Sequence, residues 1–263
     1  MRRSKLVHPP IDGRPDRYEE HLPVQDLTGT TVLVAGASSG IGRAVAVAAA
    51  DAGAYVIAFA RRAGALDETV AAVTGTGSAH ACVGDAGSPA DLERAIGLAV
   101  TATGRLDVAV NCAGINVANR SLAALDRATW DAVLAGSLDP AYELTQAVLP
   151  TFRRQRDGLI VHVTSRSARA ADASGAAYQA AKAGVTALAH ATRFEEAGNG
   201  IRVSVVFPGM TDTALLDRRP VPPSAAERAS ALQPADVAHM IISILTLPAR
   251  AEVPELSIHP HRT

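Results

Sequence analysis

An apolar run that breaks into closely spaced glycines constrains this chain more than any other feature of its sequence. Residues 30–36 read Thr-Thr-Val-Leu-Val-Ala-Gly, and the spacing G-x-x-x-G-x-G continues from Gly36 through Gly40 and Gly42 into an alanine-rich segment. The pattern predicts a strand, a tight loop and a helix N-terminus. Missing side chains let the backbone approach a phosphate, which the N–H groups and dipole of a helix N-terminus attract. Close glycines also occur in ordinary turns, but a second apolar run at 54–60 follows at βαβ distance.

Apolar runs and alanine-rich stretches alternate along the rest of the chain. This alternation predicts the α/β class, a doubly wound parallel sheet in one domain over 27–263. A chain of 263 residues that is 48% hydrophobic can fill the core of such a domain. The prolines and mixed charges of residues 1–26 predict a flexible leader. We predict strands near 31–36, 54–60, 79–84, 107–112, 158–165, 201–207 and 255–259, and helices near 41–52, 64–73, 88–103, 126–152, 176–197 and 234–247.

Charge and composition argue against several classes of function. A net charge of −1 with both signs interspersed gives no basic surface for nucleic acid or an anionic membrane. No apolar stretch reaches about 18 residues, and the first residues lack the apolar region of a signal peptide. Cys82 and Cys112 lack metal-ligand spacing, and buried thiols are favoured over a disulfide. We expect a soluble cytoplasmic protein with no metal, nucleic-acid or membrane partner.

Tyr178 and Lys182 form a Tyr-x-x-x-Lys pair in a chain that has only one other lysine. Residues four apart share a helix face, so the phenol and the ammonium would point into the same space. We expect the cation to lower the pKa of the tyrosine from about 10 toward that of a useful general acid or base. Lysine suits this role because it is compact and can join a proton relay. The alternative is a surface pair on an alanine-rich helix.

The glycine loop and this pair, about 140 residues apart, resemble the motifs of the short-chain dehydrogenase/reductase family. The resemblance covers about residues 27–260 and implies a single Rossmann-type domain. One departure is Ala35, where the family usually has threonine. Three further matches each follow an apolar run: Asn111-Cys112-Ala113-Gly114, Ser165, and Pro208-Gly209 with Thr213 downstream.

The resemblance implies hydride transfer between a nicotinamide cofactor and a small carbonyl or alcohol substrate. Tyr178 would exchange the proton on the substrate oxygen, Ser165 would polarise that oxygen, and Lys182 would hold the nicotinamide ribose and lower the pKa of the tyrosine. The family's fourth catalytic residue is an asparagine, and Ser137 stands at that position. Serine can still donate and accept a hydrogen bond, but it is shorter. We therefore predict Ser165, Tyr178, Lys182 and Ser137 as the catalytic residues.

The end of the second strand indicates which cofactor binds. NAD-binding members usually have an aspartate near Ala60, which Arg61 and Arg62 follow in this chain. Guanidinium groups bind phosphate bidentately, so the pattern resembles that of NADP-preferring members, with Arg61 the first candidate for the 2′-phosphate and Arg62 the second. The alternative is that both arginines are solvated. Asp85 matches the family aspartate at the adenine, or caps the helix that starts near Ser88. The residues assigned to NADP(H) by the resemblance are Gly36, Ser38, Ser39, Gly40, Ile41, Gly42, Arg61, Arg62, Asp85, Ala86, Asn111, Ala113, Gly114, Tyr178, Lys182, Pro208, Gly209, Thr211 and Thr213.

Substrate and assembly are less constrained by the sequence. The family's lid segment, here 213–231, is rich in proline and arginine with almost no aromatic side chains, which favours a small polar carbonyl compound. Arg166 and Arg169 would face the substrate or lie solvated in a loop, and His259 is expected to serve packing or an interface. The resemblance implies a homotetramer or homodimer. The alternative function is that of a non-catalytic NADP(H)-binding regulatory protein on the same fold.

Overall fold

Seven parallel strands form the centre of this protein, whose computed structural model describes residues 25–261. The leader predicted at 1–26 lies outside these residues, except for its last two. The strands are β1 (Thr31–Ala35), β2 (Tyr55–Ala60), β3 (Ser78–Val83), β4 (Val108–Asn111), β5 (Gly158–Val163), β6 (Ile201–Pro208) and β7 (Glu255–Ile258). The α-helices are α1 (Gly40–Asp51), α2 (Ala63–Ala71), α3 (Pro89–Thr103), α4 (Arg127–Ser137), α5 (Asp139–Gln155), α6 (Ala176–Glu196), α7 (Ala225–Ala229) and α8 (Pro234–Leu245).

The strand order reverses at the centre of the sheet. The order is β3-β2-β1-β4-β5-β6-β7, so the chain builds outward from β1 and then returns to the other side of β1 with β4. Ligands of such sheets bind beyond the carboxyl ends of the strands at this reversal. The predicted doubly wound parallel sheet is confirmed.

Two hydrophobic cores cover the two faces of the sheet. Val32 and Val34 of β1 join one core with α1 and α8, whereas Leu33 and Ala35 join the other with α3 and α5. Successive side chains of a strand point to opposite faces, and both faces are covered here. This burial explains why the central strands read as continuous apolar runs.

The helix predicted near 126–152 is two helices, so that prediction is wrong. α4 ends at Ser137, and α5 begins with Asp139 and Pro140. Proline fits the first turn of a helix, but it lacks the N–H that would continue the preceding one. A 3-10 helix at Ala214–Arg218 and the short helix α7 occupy the segment expected to form a lid. Among the described helices, none is long and apolar enough to cross a membrane.

Candidate active site

The carboxyl ends of the central strands bring the predicted catalytic side chains together. Ser165 follows β5, while Tyr178 and Lys182 occupy the first two turns of α6. Ser165 and Tyr178 line a cleft of about 920 Å³. The Nζ atom of Lys182 lies 5.9 Å from the centroid of the Tyr178 ring. The tyrosine and the lysine therefore share one helix face, directed at this end of the sheet.

Lys182 is a buried lysine held by the backbone. Its side chain is only 4% exposed, and Nζ donates a hydrogen bond to the carbonyl of Val163 at 3.1 Å. A Cβ on Gly114 would lie 3.0 Å from Nζ, so the loop after β4 passes the ammonium closely. Burial lowers the pKa of Lys182 to about 8, because the charged form loses its hydration. The lysine is therefore a group that can change protonation state in a mildly basic solution.

Tyr178 is a protonated phenol in this structure, so the expected lowering of its pKa is wrong for the protein by itself. The residue is 9% exposed, and burial raises its pKa to about 12. A hydrogen bond with Ser165 and the charges of Arg120 and Arg219 act in the opposite direction but are weaker. Desolvation of a phenolate outweighs the effect of nearby cations. The tyrosine consequently carries its phenolic proton at neutral pH.

The hydroxyl of Ser165 begins a short polar chain that the sequence analysis missed. Ser165 Oγ lies 3.1 Å from Ser167 Oγ, which donates to Asp172 Oδ2 at 2.7 Å and lies 3.0 Å from the hydroxyl of Ser174. Burial acts to raise the pKa of Asp172, but hydrogen bonds from Ser167 and Ser174 and the charge of Arg166 together lower it. The ionised aspartate therefore orients the serines beside the cleft.

Ser137 ties α4 to the loop after β4. Its fully buried Oγ accepts a hydrogen bond from the N–H of Ile115 and donates one to the carbonyl of Ile115, each 3.0 Å long. A Cβ on the preceding Gly114 would lie 3.8 Å from this oxygen and still closer to Lys182. The serine thus fixes a loop that contacts the buried lysine.

The glycine loop has the shape expected of a phosphate cradle. A Cβ atom added to Gly42 would lie 2.2 Å from the carbonyl oxygen of Gly36, so no side chain fits there. Gly36 has a φ of +85°, and a Cβ atom added to it would lie 2.9 Å from the backbone nitrogen of Ala113. Ser39 precedes α1 without a side-chain cap bond, and the first turn of that helix carries no acidic residue. The N–H groups at this end of α1 therefore fit a pyrophosphate.

The segment after β6 closes the cradle from the other side. A Cβ on Gly40 would lie 3.1 Å from Cγ2 of Thr213, so this threonine packs directly on the glycine loop. Thr211 Oγ1 donates to the carbonyl of Gly209 at 3.2 Å. The other assigned residues lie on the same edge of the sheet, in α1, at the last positions of β4 and β6, or in the loops after β1, β3 and β4: Ser38, Ile41, Ala86, Asn111, Ala113 and Pro208.

The two arginines after β2 have different neighbours. Arg62 Nη2 donates to the hydroxyl of Ser38 at 3.1 Å, whereas Arg61 Nη1 lies 3.7 Å from Asp85 Oδ2 on an exposed surface. An exposed ion pair of this length contributes little. Asp85 does not cap α3, since Ser88 is the N-cap residue of that helix. Arg62 is therefore the arginine that reaches the glycine loop.

The structure separates the arginines that face the cleft from those that do not. Arg166 lines the cleft, but Arg169 lies over the ring of Phe207, 3.7 Å from its centroid, and pairs with Glu255. His259 also lines the cleft, and its backbone packs near Gly209. Sequence reasoning missed two further arginines of the cleft, because nothing local distinguishes a buried loop arginine from a solvated one. They are Arg120 and Arg219.

Comparison with known proteins agrees with this geometry. Residues 30–221 match the family model described as short chain dehydrogenase. The chain belongs to the short-chain dehydrogenase/reductase family. It is an oxidoreductase of this family, and an uncharacterized oxidoreductase of Staphylococcus haemolyticus is 28% identical to it over 89% of this chain and 99% of that one.

Two solved structures of the family show how closely the fold is shared. A 3-ketoacyl-(acyl-carrier-protein) reductase from Brucella melitensis, complexed with NADH, superposes with a TM-score of 0.81 at 25% identity, over 89% of this chain and 98% of that one. The closed form of a serine dehydrogenase complexed with NADP+ superposes with a TM-score of 0.80 at 25% identity, over 88% of this chain and 95% of that one.

Proposed function

We propose that this protein is an NADP(H)-dependent reductase of a small ketone or aldehyde, able to oxidise the corresponding alcohol in the reverse direction. The observation that carries the proposal is the convergence of Ser165 and Tyr178 on one cleft with the buried Lys182 beside them. The similar structures described above belong, by name, to a ketoacyl reductase and a serine dehydrogenase.

The chain's own residues handle the substrate oxygen and its proton. A bound nicotinamide cofactor supplies the hydride to the carbonyl carbon, or accepts it in reverse. Tyr178 gives its phenolic proton to the carbonyl oxygen, and burial keeps that proton in place at neutral pH. Ser165 turns its hydroxyl from Ser167 to the same oxygen and polarises it. The charged form of Lys182, present below about pH 8, stabilises the phenolate that proton transfer leaves.

The preference for NADP(H) rests on the residues around the end of β2. Ala60 provides no carboxylate to repel a 2′-phosphate, and Arg62 with Ser38 provides donors for it. The cradle of Gly36 and Gly42 at the N-terminus of α1 would hold the pyrophosphate.

Titration of NADPH and NADH against the same protein tests this preference. One charge-assisted contact contributes about 1.5–3 kcal/mol, so NADPH should bind at least about tenfold more tightly. Arg62→Ala should remove most of the difference, and Arg61→Ala should remove less, because Arg61 lies near Asp85. Arg127→Ala, which removes an exposed arginine of α4, is the matched control. Equal affinities of the wild type for the two cofactors would refute the preference.

The alternative is a non-catalytic NADP(H)-binding regulator with this fold. A regulator has no evident need for Ser165, Tyr178 and Lys182 together, which favours the reductase. A panel of carbonyl compounds assayed with NADPH separates the two functions. Turnover of any of them supports the reductase, whereas tight NADPH binding with no turnover across aliphatic, aromatic and anionic members of the panel supports the regulator.

A further inference from the structure

The cleft carries more positive than negative charge. Arg120, Arg166 and Arg219 line it, and Asp172 is the one carboxylate of its lining within residues 25–261. Arg166 and Asp172 face each other at 3.7 Å. The aspartate is further engaged by hydrogen bonds from the nearby serines. Neither Arg120 nor Arg219 forms an ion pair among the described residues, although the charge of Asp172 acts on Arg120 and that of Arg219 acts on Glu227, outside the cleft lining.

Arg120 is buried and rigidly held. Its side chain is 8% exposed, and it donates to the carbonyls of Val117 and Arg218 at 2.7 Å each. These bonds use Nε and Nη2, and Nη1 has no hydrogen bond to the described residues. Burial, and after it the charge of Arg219, lowers the pKa of Arg120. A buried arginine normally has a charged partner, because an uncompensated charge in a protein interior is costly.

Arg219 extends the same positive surface and is less restrained. Its guanidinium Nη1 lies 3.7 Å from the sulfur of Met210. Both arginines line the same cleft as Tyr178, and their charges act to lower the pKa of its phenol. The pair thus lies within reach of a substrate whose carbonyl oxygen contacts this tyrosine.

We propose that the substrate carries a carboxylate, and that Arg120 and Arg219 bind it while Tyr178 and Ser165 bind its carbonyl oxygen. The substrate class is therefore a short oxo acid or the matching hydroxy acid, which deepens the proposed function and rests on it. Guanidinium groups match the planar geometry of a carboxylate and bind it through two parallel hydrogen bonds. Arg120 is a fixed anchor, and Arg219 completes the site.

Binding of malonate, with its neutral isostere malonamide for comparison, tests the anion site without any turnover. Calorimetric titrations in saturating NADP+ and at constant ionic strength should show malonate binding at least about tenfold more tightly than malonamide. Arg219→Leu should weaken malonate binding by at least about tenfold and leave NADP+ affinity unchanged. Arg219 is the residue to vary, because Arg120 also holds two loops together. Arg127→Leu removes an exposed arginine of α4, outside the cleft lining, and should change neither affinity.

Several results would overturn the proposal: equal binding of malonate and malonamide, tighter binding of inorganic phosphate than of malonate, or a loss of NADP+ rather than malonate affinity in Arg219→Leu. A kinetic comparison keeps the two proposals distinguishable. The wild type should reduce 3-oxobutanoate with a kcat/KM at least about tenfold above that of its methyl ester, and Arg219→Leu should lower only the former. Preferred reduction of the ester would refute the anion site and leave the reductase intact. Malonate binding without reduction of either compound or of any panel member would refute the reductase.

Discussion

Replacing Ser137 by alanine should destabilise the protein although it removes only one buried oxygen atom. The hydroxyl makes two hydrogen bonds of 3.0 Å with the backbone of Ile115, at a position that solvent does not reach. A buried polar group that loses its partner costs about 1–3 kcal/mol. A protein of this size loses roughly 2–4 °C of melting temperature per kcal/mol, so the expected fall is roughly 2–12 °C.

A second buried serine provides the matched control. Ser204 on β6 is equally buried, and its Oγ has no hydrogen-bond partner among the described residues. Ser204→Ala should therefore leave the melting temperature unchanged or raise it, because no hydrogen bond is lost. Scanning calorimetry of both variants gives the comparison. Equal changes in the two variants, or an unchanged melting temperature in Ser137→Ala, would refute the reasoning.

The same geometry predicts the activity of variants at this position. Ser137 positions the loop whose Gly114 passes within contact distance of Lys182, so kcat should fall in Ser137→Ala while the affinity for NADPH changes little. Ser137→Asn restores the family's amide, but it adds volume to a fully buried site and should cost about 1–3 kcal/mol of stability. A stable Ser137→Asn variant with raised turnover would instead support a catalytic role for the family's asparagine at this position.

Three further predictions concern Lys182 and assembly. Lys182→Arg keeps the charge but places a bulkier guanidinium group where Nζ contacts the carbonyl of Val163, so turnover at equal NADPH occupancy should be lost. A retained rate would contradict a specific role of the ammonium group. The pKa of Lys182 is about 8 in the folded protein and ordinarily 10.5, so the unfolded chain binds more protons between these two pH values, and the unfolding free energy of the wild type relative to Lys182→Met should rise from pH 8 to pH 10.5. Denaturant titrations in which this difference stays flat or falls would contradict the prediction. Light scattering of the wild type should give the mass of a homotetramer, and a monomer mass would refute the assembly. Phe194 on α6 is 86% exposed, so Phe194→Asp should lower the measured mass, whereas Leu122→Asp in an exposed loop should not.

Features that depend on local sequence patterns were predictable without the structure. The order of strands and helices follows from the apolar runs and the glycine, proline and polar residues between them. The convergence of Ser165 with Tyr178 follows from the rule that parallel strands present their carboxyl ends at one edge of the sheet. Pro140 also indicates the break between α4 and α5, because proline cannot continue a helix, although the alternation of apolar and alanine-rich stretches predicts one element there. The cytoplasmic location and the oligomeric state stay predictions.

Features that depend on burial were not predictable. The raised pKa of Tyr178 results from desolvation, and a sequence shows the neighbouring lysine but not the amount of water around the phenol. Arg120 is similar, because only the folded chain shows that a loop arginine is enclosed and turned toward the cleft. The contact of Arg62 with Ser38 depends on how the loop after β2 lies against the glycine loop. These tertiary effects determine the charge of the site, on which the proposed substrate class rests.

The most direct test of the central claim follows a labelled hydride. NADPH deuterated at both C4 positions and a ketone that the wild type reduces should give an alcohol with one deuterium on the carbinol carbon, detected by mass spectrometry. Tyr178→Phe should bind NADPH with unchanged affinity and form this product about 10²–10⁴-fold more slowly, because the ring still packs but the proton donor is gone. An alcohol without deuterium, or a Tyr178→Phe variant that forms the labelled alcohol at nearly the wild-type rate, would contradict the account.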